Sequence, residues 1–173
     1  MGCEYKIRGA EGRGAPIARR SVDGATGCAT LCRVRIMVGV DGSDPALRAA
    51  RRAFALASRL GESVTLVHVL PPPPVLSEPS VLINVVELER HVYETGKAVL
   101  DKLAAEGHAS GIQVDTQLLS GSAAEMIAEA AQAEDVEMLV VGSRGRTLVG
   151  SMLLGGTSHR LAHISKKPVL IVH

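Results

Sequence analysis

Five short apolar segments, alternating with longer segments of helical spacing, constrain the fold of this chain more than any other feature. The apolar segments are VRIMVGV (34–40), SVTLVHVL (63–70), GIQVDTQLL (111–119), VEMLVVG (136–142) and PVLIVH (168–173). Most of them are continuously apolar, which is typical of strands buried on both faces. Strands that alternate with helices predict an α/β fold with a doubly wound parallel sheet and helices on both faces.

The first intervening segment, 41–61, predicts a turn followed by a helix with clear start and stop signals. Asp44 can cap the helix, and Pro45 suits its first position because that residue needs no amide hydrogen. Gly61 suits its end, where a left-handed conformation is common.

Three further helices are predicted along the chain. The last two cover 122–134, where Ser122 and Glu125 form a capping box, and 156–164. The longest covers 82–106, and its apolar stripe consists of Leu88, Val92, Val99 and Leu103.

The composition restricts both the number of domains and the class of partner. With 173 residues and 46% apolar content, the chain is expected to form one domain with a substantial core. It has no Trp, one Phe and two Tyr, so the core must be aliphatic and aromatic platforms for stacked bases are not indicated. The net charge of +1 favours neither nucleic acid nor a membrane surface as a partner.

Residues 1–33 differ from the remainder and divide the chain into two regions. They contain six basic and three acidic residues, for a net +3, whereas 34–173 contain thirteen and fifteen, for a net −2. Residues 1–33 lack sustained periodicity, which predicts a flexible basic N-terminal extension before a folded domain at 34–173. An arm that contacts nucleic acid or a protein partner is the alternative.

The cysteine pattern and the lack of apolar blocks indicate a cellular location. Cys3, Cys28 and Cys32 all lie in the extension, where free thiols are expected rather than a disulfide framework. The sequence shows neither a secretory signal nor a stretch that could span a membrane, so a cytoplasmic location is expected.

A glycine-rich segment, VVGSRGRTLVGSMLLGGTS (140–158), follows directly after the fourth predicted strand. Glycines permit close approach of backbone to a ligand, and consecutive amides at a helix N-terminus attract anions. Arg144 and Arg146 add positive charge, and Thr157 and Ser158 add hydroxyls. The segment therefore suits a phosphate, although it is neither a Walker A loop nor a GxGxxG fingerprint. The alternative is that its glycines, Gly142, Gly145, Gly150, Gly155 and Gly156, only permit a tight turn.

Several motifs in the same order resemble the universal stress protein family. They are MVGVDGSDPALRAARRAFALA near the start, VTLVHVL after it, the spacing Gly142-x2-Gly145-x9-Gly155, and KKPVLIVH at the end. The resemblance covers 34–173 and implies a Rossmann-like fold of the adenine nucleotide alpha hydrolase type, with five parallel strands in the order 3-2-1-4-5. It also implies a homodimer formed through the last strand, and a protein partner that the sequence does not identify.

In the branch of this family that binds ATP, the nucleotide lies in a crevice at the carboxyl ends of the strands. The resemblance implies ATP, ADP or AMP as the ligand here, with or without Mg²⁺. The resemblance implies that Val40 and Asp41 contact the adenosine, that Gly42 and Ser43 beside them belong to the same site, and that His68 and Val69 lie against the adenine. The ribose and phosphates are assigned to the glycine-rich segment, namely to Gly142, Ser143, Arg144, Gly145, Gly155, Gly156, Thr157 and Ser158.

The sequence departs from the family pattern at one position. The ATP-binding pattern continues from the last glycine with Ser or Thr, whereas Gly155 is followed by Gly156. One hydrogen bond to phosphate would be lost while the amide donors remain, so binding is expected to be weakened rather than abolished.

A nucleotide-dependent stress sensor or regulator is therefore expected, and a dimeric scaffold of the same fold that binds no nucleotide is the alternative. No hydrolase motif is present, so no catalytic residue is assigned and at most slow ATP hydrolysis is expected. His159 and His163 are interpreted as surface residues rather than metal ligands, and no metal site is expected.

Overall fold

A five-stranded parallel sheet forms the centre of the computed structural model, which describes residues 35–72, 82–133, 135–145 and 154–173. The predicted extension at 1–33 with its cysteines lies outside the described residues, as do Arg146 and Gly150.

The strands lie in the order β3-β2-β1-β4-β5, and every neighbouring pair is parallel. This confirms the predicted fold class and the strand order that the resemblance implies. The strand order reverses between β1 and β4, so a crevice opens beyond their carboxyl ends. The elements in chain order are β1 (Arg35–Gly39), α1 (Asp44–Leu60), β2 (Ser63–Leu70), α2 (Leu82–Ala109), β3 (Val114–Ser120), α3 (Ala123–Ala130), β4 (Val136–Gly142), α4 (Gly156–Ile164) and β5 (Val169–Val172).

The sheet is covered on both faces, each by its own apolar core. Ile36 and Val38 of β1 face one core, which α1 and α2 complete with Phe54 and Leu103. Met37 faces the other core, which α3 and α4 complete. Two covered faces explain why β1, β2 and β4 are mostly apolar, whereas the edge strand β3 contains Asp115, Thr116 and Gln117. No helix among the described residues combines the length and apolar character needed to cross a membrane.

The start of α1 differs from the sequence-based expectation, and its end confirms it. Ser43, not Asp44, is the N-cap: its hydroxyl oxygen accepts a hydrogen bond from the amide of Ala46 at 3.4 Å. Asp44 instead occupies the first turn, where its charge suits the helix dipole. Gly61 ends the helix with φ of 72°, the left-handed conformation expected of a C-terminal glycine.

The predicted capping box at the start of α3 is wrong. Ser122 is the N-cap residue, but its hydroxyl donates to the carboxylate of Glu125 and accepts no backbone amide. Glu125 also accepts from Arg160 of α4 at 2.9 Å, so its side chain joins two helices instead of capping one. The hydrogen bond from Ser122, followed by those from the Glu125 amide and Arg160, holds the pKa of Glu125 below its usual range.

The long helix α2 also differs from the expected pattern. Its buried residues include Leu100 and Leu103, whereas Leu88 is 53% exposed and does not belong to the apolar stripe. β3 begins at Val114 because the residues before it form the turn that ends α2, in which the amide of Ile112 bonds to the carbonyl of Gly107 at 3.1 Å.

Candidate functional site

A cleft opens beyond the carboxyl ends of β1 and β4, where the strand order reverses. It contains about 490 Å³ of empty space, including the part that opens to solvent. Strand ends and the first turns of three helices surround it, which is the usual position of a ligand in a doubly wound sheet. Its lining residues are Gly39, Val40, Asp41, Ala46, Val67, Val69, Ala123, Ile127, Val141, Gly142, Arg144, Gly145, Thr157 and Ser158.

One wall of the cleft is apolar. Val40 ends the first strand segment, Val67 and Val69 come from β2, and Ile127 comes from α3. Val40, Val67 and Ile127 are all more than nine-tenths buried. A flat aliphatic wall of this kind can contact the faces of a planar ring without competing for hydrogen bonds.

Asp41 provides the carboxylate of the cleft and is held by the turn that begins α1. Its Oδ1 accepts hydrogen bonds from the amide of Ser43 at 3.0 Å and from the Ser43 hydroxyl at 2.6 Å. Gly42 between them has φ of +82°, a conformation that favours glycine. The cap of α1 therefore fixes the position of Asp41 at the edge of the cleft.

Two glycines allow elements to approach at distances that no side chain would permit. A Cβ built on Gly142 would lie 2.7 Å from the carbonyl carbon of Pro45 and 2.8 Å from the amide nitrogen of Ala46. A Cβ on Gly145 would lie 2.7 Å from Oδ2 of Asp41. Gly142 therefore brings the end of β4 against α1, and Gly145 brings the glycine-rich segment against the carboxylate.

Both ends of the glycine-rich segment are fixed by hydrogen bonds. The amide of Ser143 donates to the carbonyl of Val172 at 2.7 Å, and its carbonyl accepts from the amide of Gly155 at 2.7 Å. The buried hydroxyl of Ser158 donates to the carbonyl of Gly142 at 2.6 Å. These bonds tie the start of α4 to the end of β4, whatever the conformation of the residues between them.

The first turn of α4 lies at the cleft and contains backbone amides for which the described residues offer no acceptor. Gly155 is the N-cap and has no side chain to satisfy the helix. Within the described part of the chain, the amides of Gly156, Thr157 and Ser158 meet no acceptor, as expected for the first turn of an uncapped helix. Thr157 and Ser158 line the cleft, so these amides and the helix dipole favour an anion there.

The structure brings most of the predicted site residues together, in two roles. Val40, Asp41, Val69, Gly142, Arg144, Gly145, Thr157 and Ser158 line the cleft. Gly42, Ser43, Ser143 and Gly155 do not line it but shape its backbone, through the contacts described above. Gly156 is exposed, and a Cβ added there would meet no atom within 4 Å.

His68 is not brought into the cleft. Successive residues of a strand point to opposite faces, and Val67 and Val69 take the cleft side of β2. The imidazole of His68 instead lies against α2, where a Cβ on Gly96 would be 2.8 Å from its Cδ2 atom. The side chain is buried between the sheet and this helix.

Sequence reasoning missed six lining residues, namely Gly39, Ala46, Val67, Ala123, Ile127 and Val141. Because side chains alternate between the two faces of a strand, the assignment of Val69 to the cleft would also have indicated Val67, which lies on the same face. Ala123 and Ile127 share a face of α3 at helical spacing, but nothing in the sequence indicates that this face reaches the crevice.

Among the described residues, no group of three or more His, Cys, Asp or Glu side chains is arranged to hold a metal ion. Asp41 is the one acidic residue among those described as lining the cleft. The described cleft therefore offers a single carboxylate ligand to Mg²⁺, which accepts additional oxygens from substrate phosphates and water.

Comparison with known proteins assigns this architecture to a family. The model of the Universal stress protein family matches residues 33–173. A universal stress protein of Thermus aquaticus is 36% identical over 138 residues, which cover 79% of this chain and 96% of that protein. One from Mycolicibacterium smegmatis is 35% identical over 144 residues, covering 80% of this chain and 47% of that protein. This chain thus spans about half the length of the latter relative.

Solved structures of similar proteins include two nucleotide complexes. A universal stress protein in complex with cAMP has a TM-score of 0.62 and 29% identity, over 82% of this chain and 98% of that chain. The universal stress protein from Archaeoglobus fulgidus in complex with dAMP has a TM-score of 0.60 and 22% identity, over 83% of this chain and all (100%) of that chain. At 22% identity, the similarity to the dAMP complex concerns the fold alone.

The role of Gly142 can be tested by comparing two glycine-to-alanine variants. We expect Gly142→Ala to lower the free energy of unfolding by about 1–3 kcal/mol, because its Cβ meets backbone atoms that must move. Gly156→Ala should change it by less than about 0.5 kcal/mol, since its Cβ meets open space. Urea denaturation measures both values. Equal stability of the two variants would contradict the close approach of β4 and α1.

Proposed function

The chain belongs to the universal stress protein family, and from that premise we propose that it binds an adenine nucleotide in the cleft between β1 and β4. The observation that carries the proposal is the uncapped first turn of α4, where Thr157 and Ser158 line the same cleft as Asp41 and an apolar wall. Two relatives, in complex with cAMP and with dAMP, support the choice of an adenine nucleotide.

In the proposed complex, each part of the nucleotide meets a surface of matching chemistry. The adenine contacts the aliphatic wall of Val40, Val67 and Val69. The ribose hydroxyls donate hydrogen bonds to the Asp41 carboxylate, which the α1 cap orients. The phosphates accept hydrogen bonds from the amides that begin α4 and attract Arg144, an exposed cation at the rim.

The glycine at position 156 should weaken nucleotide binding without abolishing it. A Ser or Thr at this position would add a hydroxyl in the first turn of α4, and such a hydrogen bond to a charged group contributes about 1.5–3 kcal/mol. The backbone amides do not depend on the side chain. We therefore propose ATP, ADP or AMP as ligands, with or without Mg²⁺.

The proposed role is regulation rather than catalysis. Nucleotide contacts with Asp41, Gly145 and the start of α4 would bias the surface that a protein partner contacts. The described residues that line the cleft include no histidine or lysine that could act as a general acid or base, so at most slow ATP hydrolysis is proposed.

We expect the chain to bind AMP, ADP or ATP in isothermal titration calorimetry of the full chain. Gly145→Val should weaken binding by about tenfold or more, because the new side chain displaces the Asp41 carboxylate. Asp41→Ala should have a similar effect through loss of the ribose acceptor. Asp44→Ala removes an exposed carboxylate from the same turn but outside the cleft, and is the matched control.

The calorimetry also decides between the proposal and a scaffold that binds no nucleotide. If no nucleotide produces heat, and none raises the melting temperature of the unaltered chain, the cleft is not a nucleotide site. If all variants bind equally well, nucleotide binds elsewhere on the chain.

We also propose a homodimer formed through β5. Val169–Val172 is an entirely apolar edge strand whose residues are all only half-buried, and an exposed apolar edge favours pairing. Multi-angle light scattering of the full chain at micromolar concentration is expected to give about twice the chain mass of 18.1 kDa. A mass of one chain under these conditions would contradict the proposal.

A further inference from the structure

His159 and His163 form a pair on the outer surface of α4, away from the nucleotide cleft. They are four residues apart in the helix, and both side chains are exposed. Their imidazole rings lie with centroids 4.7 Å apart and planes at 64° to one another. Although the sequence alone favours two independent surface histidines, this ring geometry leads us to propose that the pair is a binding site for a divalent first-row transition metal ion such as Zn²⁺ or Cu²⁺.

The separation of the rings matches the separation that a shared metal ion requires. An ion about 2.0–2.1 Å from one nitrogen of each ring, in tetrahedral geometry, places the ring centroids about 5 Å apart. The observed 4.7 Å is close to this value, so rotation of the imidazoles is enough and the backbone can remain in place. Because each ring plane needs only to contain its own metal–nitrogen bond, an angle of 64° between the planes is compatible with chelation.

The helix around the pair favours a cation. His163 lies in the last turn of α4, where the helix dipole places partial negative charge. The neighbouring cation Arg160 pairs with Glu125 of α3 at 2.9 Å. An ion between His159 and His163 therefore meets a favourable dipole, and the nearest basic side chain on the same helix has its own acidic partner.

The ligand type decides which ions the pair can hold. Imidazole nitrogen suits Zn²⁺, Cu²⁺ and Ni²⁺, whereas Mg²⁺ and Ca²⁺ prefer oxygen ligands. No third His, Cys, Asp or Glu joins the pair among the residues that the structure describes, so water would complete the coordination. An open site with two protein ligands binds reversibly, and Cu²⁺ should bind it more tightly than Zn²⁺.

The test is calorimetric titration of the full chain with Zn²⁺ at about pH 8, where imidazoles are mostly neutral. The protein is made without a polyhistidine tag, and Cys3, Cys28 and Cys32 are replaced by serine because thiolates bind the same ions. We expect one Zn²⁺ per chain, tighter binding of Cu²⁺, and no heat with Mg²⁺. His159→Ala and His163→Ala should each weaken Zn²⁺ binding by about tenfold or more.

A transposed variant provides the sharpest control. His159→Ala combined with Ala162→His keeps the number of histidines but places them at 162 and 163, which point in different directions around the helix. This variant should lose Zn²⁺ binding, while His91→Ala, which removes an exposed histidine of α2, should retain it.

Two results would overturn the proposal. One is the absence of Zn²⁺ and Cu²⁺ binding by the parent protein. The other is undiminished binding by the transposed variant or by either single alanine variant. Neither result depends on the nucleotide cleft, because both histidines lie outside the residues that line it.

Discussion

The close approach of β4 to the first turn of α1 is the contact on which the rest of the site depends. It exists because residue 142 has no side chain, since a Cβ there would lie within 3 Å of two backbone atoms. The same residue accepts the buried hydrogen bond from Ser158. One glycine thus brings three elements together, namely the end of β4, the turn that holds Asp41, and the start of α4.

The topology of the fold places a carboxylate and a set of unsatisfied backbone amides at the same edge of the sheet. Parallel strands end at the same edge of the sheet, and every helix that follows such an end begins with unsatisfied amides. In α4 these amides remain uncapped because Gly155 has no side chain, and Leu161 anchors the helix in the core below. The attraction of this turn for an anion therefore comes from the backbone and does not depend on the side chain at 156.

The elements of this fold could be predicted from the sequence because continuous apolar runs and glycine signals report local constraints. The caps could not be predicted as reliably, because Ser43 and Asp44 both suit the position and tertiary hydrogen bonds decide between them. Ser122 and Glu125 have the sequence of a capping box, yet Arg160 competes for the carboxylate from a distant part of the chain. A hydrogen bond from a residue so distant in the sequence cannot be recognised from the residues around the helix start.

The residues of the cleft could be predicted where they belong to one segment of the sequence. They could not be predicted where their position depends on which way a strand or a helix faces. The glycine-rich segment and Asp41 were identified because their spacing and position after strands are visible in the sequence. The family resemblance assigns both His68 and Val69 to the adenine, and because β2 is buried on both faces the sequence does not reveal which of the two faces the crevice. The contribution of α3 depends on how a helix packs across the sheet, and only the structure supplies it.

Amide chemical shifts during titration with AMP test the central claim most directly, because the claim concerns backbone groups that substitutions cannot remove. In ¹⁵N–¹H spectra of the full chain, the account predicts that the largest changes occur at the amides of Gly156, Thr157 and Ser158. Gly61 and Gly111, which follow the far ends of α1 and α2, should remain unchanged. Saturation with AMP that leaves the three α4 amides unmoved would contradict the account.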